Sequence, residues 1–179
     1  EYIEKYGPTA AALSARGYAT LVIDWRGQGL ADRPLRDRAV GHVRDFAEYQ
    51  SDVRALQDLA LQQGLPRPLF LLSHSMGGCI ALRALHEGLP VHAAVFSAPM
   101  WGIKIAPALR PLATALARIS RSTRQDHRYV PGTGPKNYVT EFPFANNMLT
   151  TDPDMWNWMR SHLIAQPDLA LGGPSLGWL

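Results

Sequence analysis

Three short stretches of this chain, residues 18–24, 68–72 and 91–97, are almost continuously apolar and rich in branched or aromatic side chains. Runs of that length without polar alternation are the pattern of strands covered on both faces, as in a parallel sheet. The intervening segments have a different spacing. Residues 8–16 predict a short helix, with Pro8 tolerated in its first turn and Gly17 just past its end as a stop. In residues 45–63, Phe46, Tyr49, Val53, Leu56 and Ala60 recur at steps of three and four and gather on one helical face. Asp45 and Glu48 stand at capping-box spacing ahead of them, and Gly64 and Pro66 end the pattern. A third helix is expected from Met76 to about Glu87, closed by Gly88 and Pro90. The order helix, strand, helix, strand, helix, strand predicts an α/β fold, a parallel sheet with right-handed crossovers and helices on both faces.

Beyond Pro99 no strand-like run returns. Ile105, Leu109, Leu112, Leu116 and Ile119 form one stripe at steps of four and three, predicting a helix whose regular part is pushed to about Pro111 by Pro107 and Pro111. Residues 126–147 read as a loop threaded with Tyr129, Tyr138, Phe142 and Phe144. A Thr151 or Asp152 cap, Pro153 and Asp154 open another helix through Met155, Trp158, Met159 and Leu163. Trp156, Trp158 and Met159 cannot all share one face, so packing and pocket-lining roles stay undivided among them. The chain is expected to divide into residues 1–99, a partial sheet-bearing core, and residues 100–179, a largely helical cap and the start of a return to the core.

Composition narrows the class. At 179 residues, with 46% apolar and 18% charged, the chain is long enough for a real core and ordinary for a globular protein. Its single cysteine excludes a disulfide scaffold and multi-cysteine metal sites, and Cys79, inside an apolar helix turn, is expected to be a buried structural thiol. The formal charge of +3 is small and scattered, which gives no ground for a nucleic-acid partner. The exception is the group Arg118, Arg121, Arg124 and Arg128, either a solvated face or a surface favouring anionic head groups in peripheral membrane contact. No apolar run of about 18 residues reads as a membrane span and the first residues do not read as a basic segment followed by an apolar core and cleavage site; a cytoplasmic location is expected, with peripheral contact at the inner membrane face as its extension.

The chemistry centres on Ser75. A serine hydroxyl attacks a carbonyl only when a base takes its proton and the fold holds it in place. A strand running into a helix through a sharp turn does the second: it projects Ser75 above the sheet, aims the Met76 backbone N–H at a developing oxyanion and adds the helix dipole. Small neighbours are required at such a turn, and Ser73 and Gly77 supply them as Ser-x-Ser-x-Gly, in place of the common Gly-x-Ser-x-Gly.

Three segments, Leu72-Ser73-His74-Ser75-Met76-Gly77-Gly78, Asp24-Trp25-Arg26-Gly27-Gln28-Gly29 and Phe96-Ser97-Ala98-Pro99-Met100, together resemble the α/β-hydrolase superfamily, in particular its monoacylglycerol lipase and bacterial lysophospholipase branch. The likeness extends to residues 149–153, to residues 171–175 and to Trp178. It implies that Ser75 is the nucleophile and that Met76 gives one oxyanion-hole N–H. His74 would be the elbow companion and not the base, Ser73, Gly77 and Gly78 would support the elbow, and residues 24–29 would be framework. It further implies hydrolysis of a glycerol or glycerophospholipid acyl ester with neither metal nor organic cofactor. The pattern also calls for strands before Glu1, with the second oxyanion N–H, and strands after the cap bearing the triad Asp and His. The chain opens on Glu1 instead of Met, and is accordingly expected to be a central fragment whose triad Asp and His lie outside it.

Asp126, Asp152, Asp154, Asp168, His127 and His162 follow no strand end, and Asp152 reads as a helix cap. Asp32, Asp37, Asp45 and Asp52 read as solvent or cap residues, and His42 as a loop histidine with a possible place near the site mouth. Two functional classes remain: a serine ester hydrolase acting through an acyl-enzyme on Ser75, or a non-catalytic lipid-binding or interaction protein on the same scaffold, including an inactive fragment.

Overall fold

A computed structural model describes residues 2–179; Glu1 lies outside the described residues. A 3-10 turn at Ile3–Tyr6 leads into α1 (Gly7–Ser14), with Pro8 in its first turn, and Gly17 closes the following turn at φ 85°. Residues 18–24 differ from expectation. They run without a ladder and pair with no strand among the described residues, although the Tyr18 ring meets Phe70 edge-on at 5.9 Å. An apolar run favours extended backbone, but a strand exists only where a second chain segment takes its N–H and C=O groups.

The sheet proper is a parallel pair joined through a helix. α2 (Tyr49–Gln62) follows a 3-10 turn at Phe46–Glu48 and buries Tyr49, Val53 and Ala60. Only half of the expected capping box forms: Asp45 accepts from the Ala47 N–H at 2.9 Å, whereas Glu48 is drawn to the Arg26 guanidinium at 2.8 Å. β1 (Phe70–His74), α3 (Met76–His86) and β2 (Ala93–Ser97) then form one βαβ unit, in register from Phe70 opposite Ala93 to His74 opposite Ser97. β1 starts two residues later than its apolar run because Pro68 has no N–H to give a ladder. With helices on both sides of the pair, the α/β class is as expected, yet coverage is incomplete: Phe70, Leu72 and Val95 remain exposed, contrary to the reading of strands buried on both faces.

Two apolar clusters hold the molecule. One joins Val43, Tyr49, Val53, Ile80 and Ala84, with Trp25, Phe46, Met76 and Trp178 packed against it, and it locks α2 onto α3 behind the sheet. The other joins Tyr2, Val139, Trp156, Met159, Leu163 and Leu169. The second half contributes α4 (Arg110–Ser122), α5 (Tyr138–Glu141) and α6 (Pro153–Ala165). Asp152 is the cap chosen for α6, its Oδ1 accepting from the N–H groups of Asp154 at 2.9 Å and Met155 at 3.2 Å. Trp156 and Met159 go to the interior, whereas Trp158 stays half-buried with its ring 4.3 Å from that of His162.

The end of the chain ties the halves together. Gly172 N–H donates to Ala39 C=O at 2.8 Å and Ser175 N–H to Gly41 C=O at 2.9 Å, while Val130 N–H donates to Pro174 C=O at 3.0 Å from the other side. Residues 172–176 thus lie between 39–41 and 128–130 as a threaded ribbon. His42 lies in a loop, as read from sequence, but away from the recess at Ser75 and buried beneath this ribbon, its Nδ1 2.8 Å from the fully buried Ser175 hydroxyl.

Candidate active site

Ser75 is the one residue between the end of β1 and the start of α3. Its backbone sits at φ 51°, ψ −123°, a conformation that costs a non-glycine residue about 1–3 kcal/mol unless the surroundings enforce it. They do so through three hydrogen bonds. Ser75 N–H donates to Ser97 C=O at 3.2 Å, and Ser75 C=O accepts from Gly78 N–H at 2.9 Å and Met100 N–H at 2.9 Å. The turn after β2 therefore buttresses the turn after β1. Met76 begins α3, so its N–H belongs to the first turn, where no helical carbonyl is available, and it remains for an anion at the helix end.

The supporting residues divide their work differently from expectation. Ser73 is buried and its hydroxyl donates to Val95 C=O at 3.4 Å, bridging to β2. His74 Nδ1 lies 3.3 Å from the Ser97 hydroxyl, a partner on the neighbouring strand. Gly77 was expected to allow the close strand–helix passage; a Cβ there would have only Trp25 Nε1 near it, at 3.9 Å. The close approach is at Gly78, where a Cβ would fall 2.6 Å from Pro99 Cβ and 2.9 Å from Pro99 Cα. The difference follows from the helix: position 78 turns inward toward the segment after β2, a direction that motif spacing does not encode.

Residues 24–29 form one wall. Asp24 closes this loop on itself, its Oδ2 accepting from Leu30 N–H at 2.9 Å and its Oδ1 from Ile3 N–H at 2.8 Å, and Gly29 at φ 51° leaves room for that carboxylate. Arg33 donates to Gly27 C=O and, at 2.7 Å, to Gly29 C=O. The loop delivers Trp25 and Gln28 beside Ser75, with Gln28 Nε2 3.6 Å from Met76 Sδ. Both line a recess of about 70 Å³ together with Tyr2, Tyr6, His74 and Ser75. From sequence, residues 24–29 read as framework, and the signal for their place beside Ser75 is the two glycines that let the loop fold back.

A larger open groove of about 700 Å³ lies elsewhere, between residues 23–35 and α2, and does not include Ser75. Three of its charged groups are paired: Arg26 donates to both Asp52 oxygens, the shortest contact being 2.7 Å, and to Glu48 at 2.8 Å. Asp52 is thus an ion-pair partner and not the solvent or cap residue expected, and these two carboxylates hold Arg26 more firmly protonated than usual. We place the chemistry at the smaller recess, where a strained serine and a helix N-terminus meet. Asp37 accepts from Tyr129 Oη at 3.1 Å, Asp168 pairs loosely with Arg38 at 3.6 Å, and Cys79 is a half-buried free thiol. None of Asp126, Asp152, Asp154, Asp168, His127 and His162 lines the recess at Ser75.

Known proteins align with the chain over 59–100% of its length. The chain is 33% identical to lysophospholipase L2 of Escherichia coli over 177 residues, 98% of this chain and 51% of that protein. It is 28% identical to the probable lysophospholipase L2 of Haemophilus influenzae over all of this chain and 55% of that one. With phospholipase YtpA of Bacillus subtilis it shares 34% identity over 107 residues, 59% of this chain and 39% of the relative. The chain therefore spans about half the length of the L2 relatives it matches. A family model described as serine aminopeptidase, S33 (Hydrolase_4) matches residues 1–178, and with the elbow at Ser75 and the parallel pair around it, the chain belongs to this α/β-hydrolase family.

Proposed function

We propose that this chain carries the nucleophilic half of a serine hydrolase that cleaves a carboxylic ester of a lysophospholipid or monoacylglycerol. The observation that carries the reading is the backbone of Ser75, held at positive φ by hydrogen bonds with the end of β2, the turn after it and the first turn of α3, whose N-terminus lies immediately behind it. The names of the L2 relatives support the lipid ester class.

In this reaction Ser75 Oγ adds to the ester carbonyl carbon while its proton passes to a base. The carbonyl oxygen becomes an alkoxide and accepts from Met76 N–H at the positive end of α3, an interaction stronger in the tetrahedral state than in the ground state. The carbon–oxygen bond to the glycerol moiety then breaks, and the departing oxygen takes the proton from the base. Water repeats the sequence on the acyl-enzyme, releasing the fatty acid and restoring Ser75. The base and its carboxylate partner are assigned to residues outside this chain: Asp24 and His74 line the recess, but Asp24 accepts from Ile3 and Leu30 N–H and His74 meets the Ser97 hydroxyl, and among the described residues no Asp–His pair is bonded to Ser75. Residues 100–179 act as the cap that selects the acyl chain.

Labelling of the full-length protein by a fluorophosphonate tests the reading. Covalent capture that disappears in Ser75→Ala is expected. A folded full-length protein that resists labelling would overturn it in favour of a non-catalytic lipid-binding scaffold.

A further inference from the structure

Trp25 brings to the Ser75 turn a side-chain donor that no protein group takes up. Its indole Nε1 lies 3.9 Å from the point where a Cβ on Gly77 would stand, beside the first turn of α3. Trp25, Ser75, Met76 and Gly77 all line the same recess. Trp25 is half-buried, and among the described residues its Nε1–H meets no hydrogen-bond acceptor. An indole N–H drawn away from water ordinarily finds a partner.

The residues on either side hold the ring in place. Asp24 accepts from Ile3 N–H at 2.8 Å and Leu30 N–H at 2.9 Å, and Arg26 is tied to α2 through Asp52 at 2.7 Å and Glu48 at 2.8 Å. The ring itself meets that of Tyr49 edge-to-face at 5.8 Å, and Tyr49 is almost fully buried. A donor fixed in this way is oriented before substrate arrives and needs no reorganisation when charge develops.

Its chemistry decides what it serves. An indole N–H only donates, so it neither takes the proton of Ser75 nor accepts from water or a departing alcohol. The group at Ser75 that gains negative charge and needs donors is the ester carbonyl oxygen. A head-group phosphate is a poor fit, because the recess is only about 70 Å³, and its lining includes Asp24 and no Lys or Arg.

We propose that Trp25 is a catalytic residue, its Nε1–H donating to the ester carbonyl oxygen as that atom becomes the alkoxide, alongside the Met76 N–H. The proposal rests on the reading of Ser75 as nucleophile. Trp25 keeps its proton throughout. As the bond from Ser75 Oγ to the carbonyl carbon forms, the carbonyl π electrons move onto the oxygen held by the two N–H groups. They return to re-form C=O when the bond to the leaving oxygen breaks. The same charge develops when water attacks the acyl-enzyme, so the donor acts in both halves of the reaction.

The test is hydrolysis of a short soluble ester by the full-length protein in two variants, Trp25→Phe and Trp25 replaced by benzothienylalanine, which keeps the ring shape with sulfur in place of N–H. Both are expected to lower kcat by about 10²-fold with KM little changed. The pH profile of kcat keeps its shape, and the benzothienyl variant keeps its melting temperature. Full kcat in the benzothienyl variant overturns the proposal and assigns Trp25 to packing against Met76 and Tyr49. A rise in KM confined to a lysophospholipid, with the soluble ester hydrolysed normally, overturns it in favour of a head-group contact. Loss of turnover in Ser75→Ala without loss in the benzothienyl variant removes this proposal alone. An unmodified protein that does not hydrolyse the ester, or a fully active Ser75→Ala, removes the catalytic reading and this proposal with it.

Discussion

Gly78 and Pro99 are in contact at the closest point between α3 and the turn after β2, with no room for even a methyl group between them. The contact fixes α3 against β2, and with it the position of the Met76 N–H relative to Ser75. Its neighbour Gly77 carries no such constraint. The two glycines are therefore separable by one substitution each. Gly78→Ala is expected to destabilise by roughly 1–3 kcal/mol, the usual cost of overpacking a fitted site. Gly77→Ala is expected to be neutral or slightly stabilising, by up to about 1 kcal/mol from helix propensity. Urea denaturation of both variants checks this; equal losses would remove the distinction.

Ser75→Ala is expected to lower ester hydrolysis by the full-length protein by at least about 10³-fold with little change in substrate binding, since the hydroxyl acts in bond making and not in recognition. Stopped-time assays under saturating substrate decide it, and a variant that keeps a tenth of the rate rules Ser75 out as nucleophile.

Asp152→Ala is expected to cost about 1 kcal/mol, because two first-turn N–H groups of α6 lose their acceptor. Thr151→Ala is expected to cost little by comparison, since the Thr151 side chain caps nothing there. Paired thermal melts separate the two, and the reverse order would return the cap to Thr151.

Burial holds the His42 imidazole below its ordinary value, with Asp126 and Glu48 opposing the shift and Arg44 and His127 adding to it. The native state thus prefers neutral His42, whereas the unfolded chain takes up a proton near the ordinary value of about 6.5. The associated stability is fully present above that pH and declines as pH falls from it toward the native value, by at most about 1.4 kcal/mol per pH unit. Melting curves between neutral and mildly acidic pH are expected to show this slope, and His42→Gln to flatten it. An identical slope in the variant would mean that other groups govern the acid side.

Arg26 and Asp52 form a bidentate, half-buried pair that ties the 24–29 loop to α2. Asp52→Asn is expected to cost about 1 kcal/mol, modest because Glu48 still holds the guanidinium and solvent screens the pair. The loss should shrink in high salt, and a salt-independent loss would point to packing.

The sequence by itself determined the local devices. The Ser75 turn, α3 to within one residue of its end, the Asp152–Pro153 start of α6 and the glycine-closed loop at 24–29 all follow from interactions within a few residues, which short motifs encode. It also marked 18–24 as apolar and extended, but whether that run becomes a strand depends on a partner segment, and pairing is not a local property. Tertiary structure alone decided that Gly78 and not Gly77 makes the close contact, that Glu48 and Asp52 serve Arg26, and that His42 lies under Ser175, 133 positions away. It alone showed Leu109, Leu112 and Ile119 exposed while Ile105 and Leu116 of the same stripe are half-buried. A period of three to four residues fixes which side chains share a helical face; only the packing of the remaining chain fixes where that face points.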